Sequence, residues 1–206
     1  MGGVFITLEG VEGAGKTTQA RMLAEALRAR GHEVVATREP GGTAIGTRIR
    51  EVLLAPEHGA MDAVTELLLY AAARRQHVAE LIQPALRRGA IVLCDRFSDS
   101  TRAYQGEGRG LPMETIEALD AIATRGLAPD LTLLLDVSPE VGLARNHSAC
   151  KHDRIEAESL AFHTRVREGF LALQRAHPER IVLIPSSSET LKTHERILET
   201  VLSHLE

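Results

Sequence analysis

Aromatic side chains are scarce in this chain. They make up 3% of 206 residues and Trp is absent, so a ring that stacks on a ligand has to come from four Phe and two Tyr. Cysteine is scarcer still. Cys94 and Cys150 show no CxxC spacing, which excludes a disulfide framework and suits a reduced cytosolic chain. No apolar run reaches membrane-spanning length, and the N-terminus lacks the basic, apolar and small-residue pattern of a signal peptide. The expectation is a cytoplasmic protein with no membrane contact. Lys and Arg form no block, and the net charge is −4, so a nucleic-acid polymer is a poor partner. Any bound phosphate must be met by individually placed cations.

Apolar residues make up 44%, enough for a core without metals or disulfides. The length suits one domain over residues 1–206, with room for a small mobile insert. Short apolar runs at 4–9, 33–38, 90–95, 131–137 and 180–184 read as strands. Amphipathic stretches lie between them. Ala20, Leu23, Ala24 and Leu27 share a helical face that Gly31 ends. Helices are predicted over 44–54 and 62–88, the second broken near Pro84. Another runs from Pro112 to near Gly126. Ser138-Pro139 opens a helix as N-cap and first residue. Ser186 and Glu189 have capping-box spacing before a last helix. Strands alternating with helices predict an α/β fold, a doubly wound, mainly parallel five-stranded sheet flanked by helices. Ligands in such folds bind at the carboxyl ends of the strands.

Gly10-Val11-Glu12-Gly13-Ala14-Gly15-Lys16-Thr17, followed by Thr18, matches GxxxxGK[ST] between a strand and a helix, the signature of a P-loop NTPase. Glycines let the backbone wrap phosphate, and the helix adds its positive end. Lys16 reaches the β- and γ-phosphates, and the Thr17 hydroxyl sits on Mg²⁺. A chance Gly-rich turn rarely has this context. The loop does not name a reaction. The one Asn, Asn146, is followed by His147, so the NKxD reader of guanine is missing. The third strand ends Asp95-Arg96, not Asp-Glu, which suits a second anionic substrate better than a water-positioning ATPase.

Further candidates cluster at strand ends and helix faces. Arg38-Glu39-Pro40-Gly41-Gly42 follows the second strand, and Arg50 lies in the next helix. Tyr70 and Arg74 are four apart and share a face. Thr101, Tyr104 and Gln105 follow Asp95-Arg96. A planar base needs a ring, edge hydrogen bonds and cations for its phosphate. Tyr70, then Arg74 and Gln105, then Arg50 and Arg96 can supply them. Taken singly, each reads as a solvated charge or a core residue; downstream of a phosphate loop, the set reads as a second site.

End to end, the sequence resembles the bacterial thymidylate kinase family of nucleoside monophosphate kinases. The landmarks are FITLEGVEGAGKTTQ, TREPGGT, the helix with Tyr70 and Arg74, VLCDRFSDSTRAYQGEGRG, PDLTLLLDVSPEVGL and DRIE. The resemblance implies transfer of phosphate from ATP to dTMP with Mg²⁺, in a homodimer. It implies that Glu12 contacts the deoxyribose 3′-OH, that Arg50 and Arg96 hold the dTMP phosphate, and that Tyr70 stacks on thymine. Arg74, Gln105 and Thr101 would hydrogen-bond the base. Glu39 and Asp95 would lie near the acceptor phosphate and the Mg²⁺ water shell, and Tyr104 would crowd the 2′ position. Another nucleoside monophosphate kinase, or a P-loop ATPase or switch without a small acceptor, is the alternative reading.

With an acidic residue at position 12, the family's charge-neutralising arginine comes from a lid, here about 145–156. Arg145 is present, but His147 and Ala149 stand where further arginines are usual. Arg145 or Arg154 is expected to act instead, with Lys151 a poorer substitute because it lacks the planar fork. His147, Cys150, His152 and Asp153 match no zinc spacing, and a mobile lid makes a poor metal cage.

Overall fold

The computed structural model describes residues 2–148, 153–186 and 189–205, His147 and Ser148 by backbone alone. Five strands form one sheet: β1 (Val4–Glu9), β2 (Val34–Arg38), β3 (Ile91–Asp95), β4 (Leu131–Asp136) and β5 (Ile181–Pro185). Their order is β2-β3-β1-β4-β5, and every pairing is parallel. The strands begin or end within a residue of the predicted ones. β1 is central, so connections leave its two sides in opposite directions. That leaves a crevice at its carboxyl end, where Gly10 to Thr17 follow.

Alternation along β1 divides the core. Ile6 and Leu8 face one cluster with Leu23 and Leu27 of α1 (Lys16–Arg28) and with Leu133 and Leu135 of β4. Phe5 faces the other, with Val92, Cys94 and Phe97. The Phe5 and Phe97 rings meet edge to face, centroids 4.9 Å apart. Burying an aromatic of this size is worth about 1.5–3 kcal/mol. Glu9 is in phase with Phe5, so its carboxylate is carried under the loop after β3.

α2 (Ala44–Leu54) matches its predicted bounds and is capped by Thr43, whose hydroxyl accepts from Gly46 N. The 62–88 stretch changes winding before its proline. α3 (Ala63–His77) gives way to a π-turn at Val78–Ile82 and resumes as α4 (Gln83–Arg87). Gln83 N–H bonds back to the Val78 carbonyl, so the wider turn absorbs the donor that Pro84 lacks. α5 (Ser98–Thr101) runs into a second π-wound segment, Arg102–Gly108, before α6 (Met113–Thr124).

α7 (Pro139–Ser148) begins as expected, with Ser138 Oγ 3.4 Å from Val141 N. α8 (Leu160–Ala176) was not anticipated. Ser159 caps it, accepting from Phe162 N, and Phe162, Val166 and Phe170 fall at i, i+4 and i+8 into the core. It lies close against the π-wound segment: a Cβ on Gly108 would sit 2.7 Å from the Phe162 ring. The Ser186 capping box does not form. α9 spans Thr190–Leu205, and Ser186 Oγ donates instead to the Ala14 carbonyl at 2.9 Å, tying the last connection to the phosphate loop.

Candidate active site

The loop between β1 and α1 holds Gly10, Gly13 and Gly15 at positive φ. Gly13 also lacks space for a side chain, since a Cβ there would lie 2.0 Å from the Gly142 carbonyl of α7. Lys16 Nζ donates to the Gly10 and Val11 carbonyls at 3.0 and 2.8 Å. Burial, then Arg96, lowers its pKa to about 8, against Glu12 and Asp95. Thr17 Oγ1 donates to Asp95 Oδ2 at 2.6 Å. The cleft above has about 570 Å³ and is lined by Glu12, Gly13, Lys16, Thr17, Thr18 and Asp95 among others. Val11 and Ala14 face the core instead.

Arg96 is the hinge of the site. It is not a glycine, yet its φ is 73°, a conformation that costs of order ~1–3 kcal/mol and persists only where surroundings hold it. Here Arg96 N donates to the Leu8 carbonyl. Glu9 Oε1 accepts from Phe97 N at 2.7 Å, and Ser100 Oγ donates to Glu9 Oε2 at 2.6 Å. Burial and neighbouring Asp99 raise the Glu9 pKa to about 7. The Arg96 guanidinium donates to Gly10 O, Ser100 Oγ, Glu12 Oε1 (2.6 Å) and the Tyr104 hydroxyl. Burial would raise the Glu12 carboxyl, but Arg96 and Lys16 overcome that and hold it at about 2.

A second cavity opens beside the first. Arg50, Tyr70, Arg74, Thr101, Tyr104 and Gln105 line it. Arg74 is buried and engaged through each of its three nitrogens. Nε donates to Glu39 Oε2 (2.8 Å), Nη1 to Asp120 Oδ1 (3.1 Å) and Nη2 to Thr101 Oγ1 (2.9 Å). His77 holds the other Glu39 oxygen at 2.9 Å. Arg50 Nη1 donates to the Pro40 carbonyl at 3.1 Å. Gln105 Nε2 donates to Glu66 Oε1 at 2.7 Å. The Tyr70 hydroxyl is pushed well above its ordinary pKa by burial and by Glu66, so it stays protonated. Glu12, Glu39, Arg50, Arg96 and Asp153 border both cavities.

The two candidate lid cations part company. Arg145 borders the phosphate cleft, with Nη1 3.3 Å from both the Gly13 carbonyl and Ser186 Oγ. Arg154 does not reach the cleft. It is buried, its Nε donates to the Leu53 carbonyl, and its Nη2 is ion-paired with Glu66 Oε2 at 2.5 Å. Its carboxylate partner is thus a distant one and not the adjacent Asp153. Asp153 Oδ1 accepts instead from Ile155 N and Glu156 N. Ala149, Cys150, Lys151, His152 and the His147 side chain lie outside the described residues.

Several groups at the site escaped sequence reasoning. Glu9, Glu66, Asp120 and His77 orient the residues named above, and Asn146 and Glu156 join Arg38 along the phosphate cleft. Glu66 alone had a usable signal, because it continues the Tyr70, Arg74 spacing one turn earlier.

Comparison with known proteins gives one consistent answer. A family profile described as thymidylate kinase matches residues 8–197. A thymidylate kinase of Pseudomonas fluorescens is 54% identical over 205 residues, covering 100% of this chain and 97% of the relative. One of Geotalea uraniireducens is 50% identical over 209 residues, covering 98% of each. The crystal structure of thymidylate kinase from Ehrlichia chaffeensis superposes with a TM-score of 0.79 at 35% identity, covering 98% of this chain and 99% of that one. With a phosphate loop, an adjoining polar cavity and full-length similarity at this level, the chain belongs to the thymidylate kinase family.

Proposed function

We propose that this chain transfers the γ-phosphoryl group of ATP to the phosphate of dTMP, giving dTDP on the route to dTTP. The observation that carries the reading is the shared wall. The phosphate-loop cleft and the second cavity meet at Glu12, Glu39, Arg50, Arg96 and Asp153, so a donor and an acceptor phosphate can face each other there. A third cavity of about 240 Å³ beside the loop, bordered by Gln19, Arg145, Ser186 and Thr190, leaves room for the donor base.

Phosphoryl transfer depends on positioning and charge neutralisation more than on acid–base chemistry. The acceptor is a phosphate oxygen, already ionised near neutrality, so no strong base is needed. Lys16, with a pKa of about 8, stays mostly protonated and leaves the Gly10 and Val11 carbonyls for the donor phosphates. Arg50 and Arg96 hold the acceptor phosphate. Tyr70 stacks on the base, Arg74, Thr101 and Gln105 bind its edge, Glu12 takes the sugar 3′-OH, and Tyr104 crowds the 2′ position. A magnesium ion fits the adjacent oxygens of Thr17 and Asp95, with Glu39 near its water shell, since it takes few protein ligands besides phosphate. When bound, it neutralises charge on the β- and γ-oxygens. Segment 145–156 closes over the donor as a lid, with Arg145 as its principal cation.

We further propose a cytoplasmic homodimer. Ile45 on α2, Leu68 on α3 and Ile122 on α6 are 55%, 50% and 70% exposed on three neighbouring helices, and a second copy would cover them.

A coupled ADP-release assay with ATP and Mg²⁺ tests the reaction. ADP release is expected to require dTMP and to favour it over UMP, CMP and AMP. A different preferred acceptor would make the chain another monophosphate kinase, and ATP hydrolysis indifferent to dTMP would make it an ATPase or switch.

A further inference from the structure

Glu66 lies on α3 at i, with Tyr70 at i+4 and Arg74 at i+8, so it extends the face that lines the base cavity. It is completely buried. Its carboxylate accepts from Gln105 Nε2 at 2.7 Å and from Arg109 Nε and Nη2 at 3.2 and 3.1 Å, and it pairs with Arg154. Burial alone would favour a neutral carboxyl, but hydrogen bonds from Arg109 and Gln105 and the charges of Arg109 and Arg154 hold its pKa below the ordinary range. An ionised carboxylate only accepts hydrogen bonds. It therefore dictates which end of the Gln105 amide faces it. The oxygen end would meet like charge, and the nitrogen end is held.

Gln105 lines the cavity. With its nitrogen turned to Glu66, the end offered to a ligand is the acceptor oxygen. Arg74 Nη2, bonded to Thr101 Oγ1 at 2.9 Å, supplies a donor on the same wall. A donor beside an acceptor matches a pyrimidine-dione edge, where a carbonyl oxygen adjoins a ring N–H. It mismatches cytosine, whose exocyclic amine donates and whose adjoining ring nitrogen accepts.

We propose that Glu66 is a specificity-determining positioning residue, fixing the Gln105 amide so that the cavity admits thymine and rejects cytosine. This rests on the reading of the cavity as the dTMP base site. In the alternative, Glu66 is merely a counter-ion for Arg109 and Arg154.

The experiment measures kcat/KM for dTMP and for dCMP on single preparations, because their ratio is independent of the folded fraction. The wild-type ratio comes first. If it shows no preference for dTMP, the reading of the base site fails; a normal wild-type ratio isolates the role of Glu66. In Glu66→Gln the neutral amide can donate or accept, so Gln105 is free to flip, and the ratio is expected to fall at least about tenfold, the worth of one lost and one mismatched hydrogen bond. Gln105→Leu is expected to lower it similarly. Arg109→Met, which disturbs the same ion cluster but leaves the carboxylate facing Gln105, is expected to keep the ratio within about twofold. The proposal is overturned if Glu66→Gln or Gln105→Leu preserves the ratio, or if Arg109→Met lowers it as much as Glu66→Gln. Should Glu66→Gln fail to fold, Gln105→Leu and Arg109→Met still decide.

Discussion

The two sides of the shared wall hold their cations differently. On the phosphate side, Lys16, Arg50 and Arg145 donate to the backbone carbonyls of Gly10, Val11, Pro40 and Gly13. On the base side, Arg74, Arg109 and Arg154 are paired with the carboxylates of Glu39, Asp120 and Glu66. A hydrogen bond from a cation to a neutral carbonyl contributes a net ~1.5–3 kcal/mol and leaves no charge unpaired when it breaks, so an arriving phosphate can take the cation over. Removing one partner of a buried ion pair costs about 3–5 kcal/mol, so those arginines stay where they are. One side is arranged to transfer its cations to a ligand, and the other to keep a shape. Arg96 stands between, donating both to the Gly10 carbonyl and to Glu12.

The largest expected effect tests the phosphate side. Lys16→Met should lower turnover by on the order of 10³, the scale of losing a preorganised charge at a developing anion. Stability should change little, because the ammonium donates only to carbonyls and Glu12 keeps its ion pair with Arg96. Turnover comes from ADP release and stability from urea unfolding. A loss below about tenfold, or a collapse of the fold, would put Lys16 with the structural cations.

The two lid candidates should then separate along the same line. Arg154→Ala is expected to cost about 3–5 kcal/mol of stability, because it strips one partner from buried Glu66. Arg145→Ala should leave stability within about 0.5 kcal/mol yet reduce turnover by about 10². Unfolding curves and kcat on both variants decide. Unchanged turnover in both would remove the described lid arginines from the reaction.

This division was only half legible in the sequence. The phosphate loop, the five strands and the residues facing the cavity announced themselves through motif, apolar runs and spacing. Their partners did not. Glu66 sits inside an ordinary helical pattern, TELLLY, and nothing in its identity says that it faces Arg109, forty-three positions on. Asp120 in ALDAIA and His77 in RRQH likewise read as solvated charges, and only packing turns them inward. The Ser98–Gly108 segment was opaque for a different reason. Glycine-rich QGEGRG has poor helix propensity, and its π-winding is sustained by α8, whose own apolar spacing at Phe162, Val166 and Phe170 was available but unread. The Ser186 capping box failed because α9 starts only at Thr190, beyond Glu189, while Ser186 stays beside β4, its N–H donating to the Asp136 carbonyl.

Glu9 and Glu12, three apart on the strand and loop, carry the comparison into pH dependence. Glu9 has a folded pKa of about 7 against an ordinary 4.5. The folded state keeps a proton that the unfolded chain has released, so this contribution is fully present below about 4.5 and is lost as pH rises through about 7. Across that window it amounts to about 3 kcal/mol. Glu12, at about 2, has the opposite sign, and its contribution is lost only as pH falls below about 4.5 and through about 2. Between pH 5 and 7 the slope therefore belongs to Glu9 among these two. Glu9→Gln should flatten the stability profile, measured by urea unfolding at half-unit steps. Parallel profiles for the two proteins would show that Glu9 does not titrate there.

The smallest effect concerns Tyr104, whose hydroxyl donates to Glu12 and accepts from Arg96, both at 3.0 Å. The direct Arg96–Glu12 contact is 2.6 Å and survives without the phenol oxygen. The ring itself stays packed near Phe162 and Phe170, at centroid distances of 6.2 and 6.0 Å. Tyr104→Phe removes one neutral bridge from an ion pair that is already closed, so kcat/KM for dTMP should fall by no more than about tenfold. Because exclusion at the 2′ position would come from the ring rather than the hydroxyl, the preference for dTMP over its ribonucleotide counterpart should be unchanged. A hundredfold loss would mean that the phenol, not the carboxylate, positions Arg96, and would take that arginine from its place between the two sides to the side that answers to a ligand.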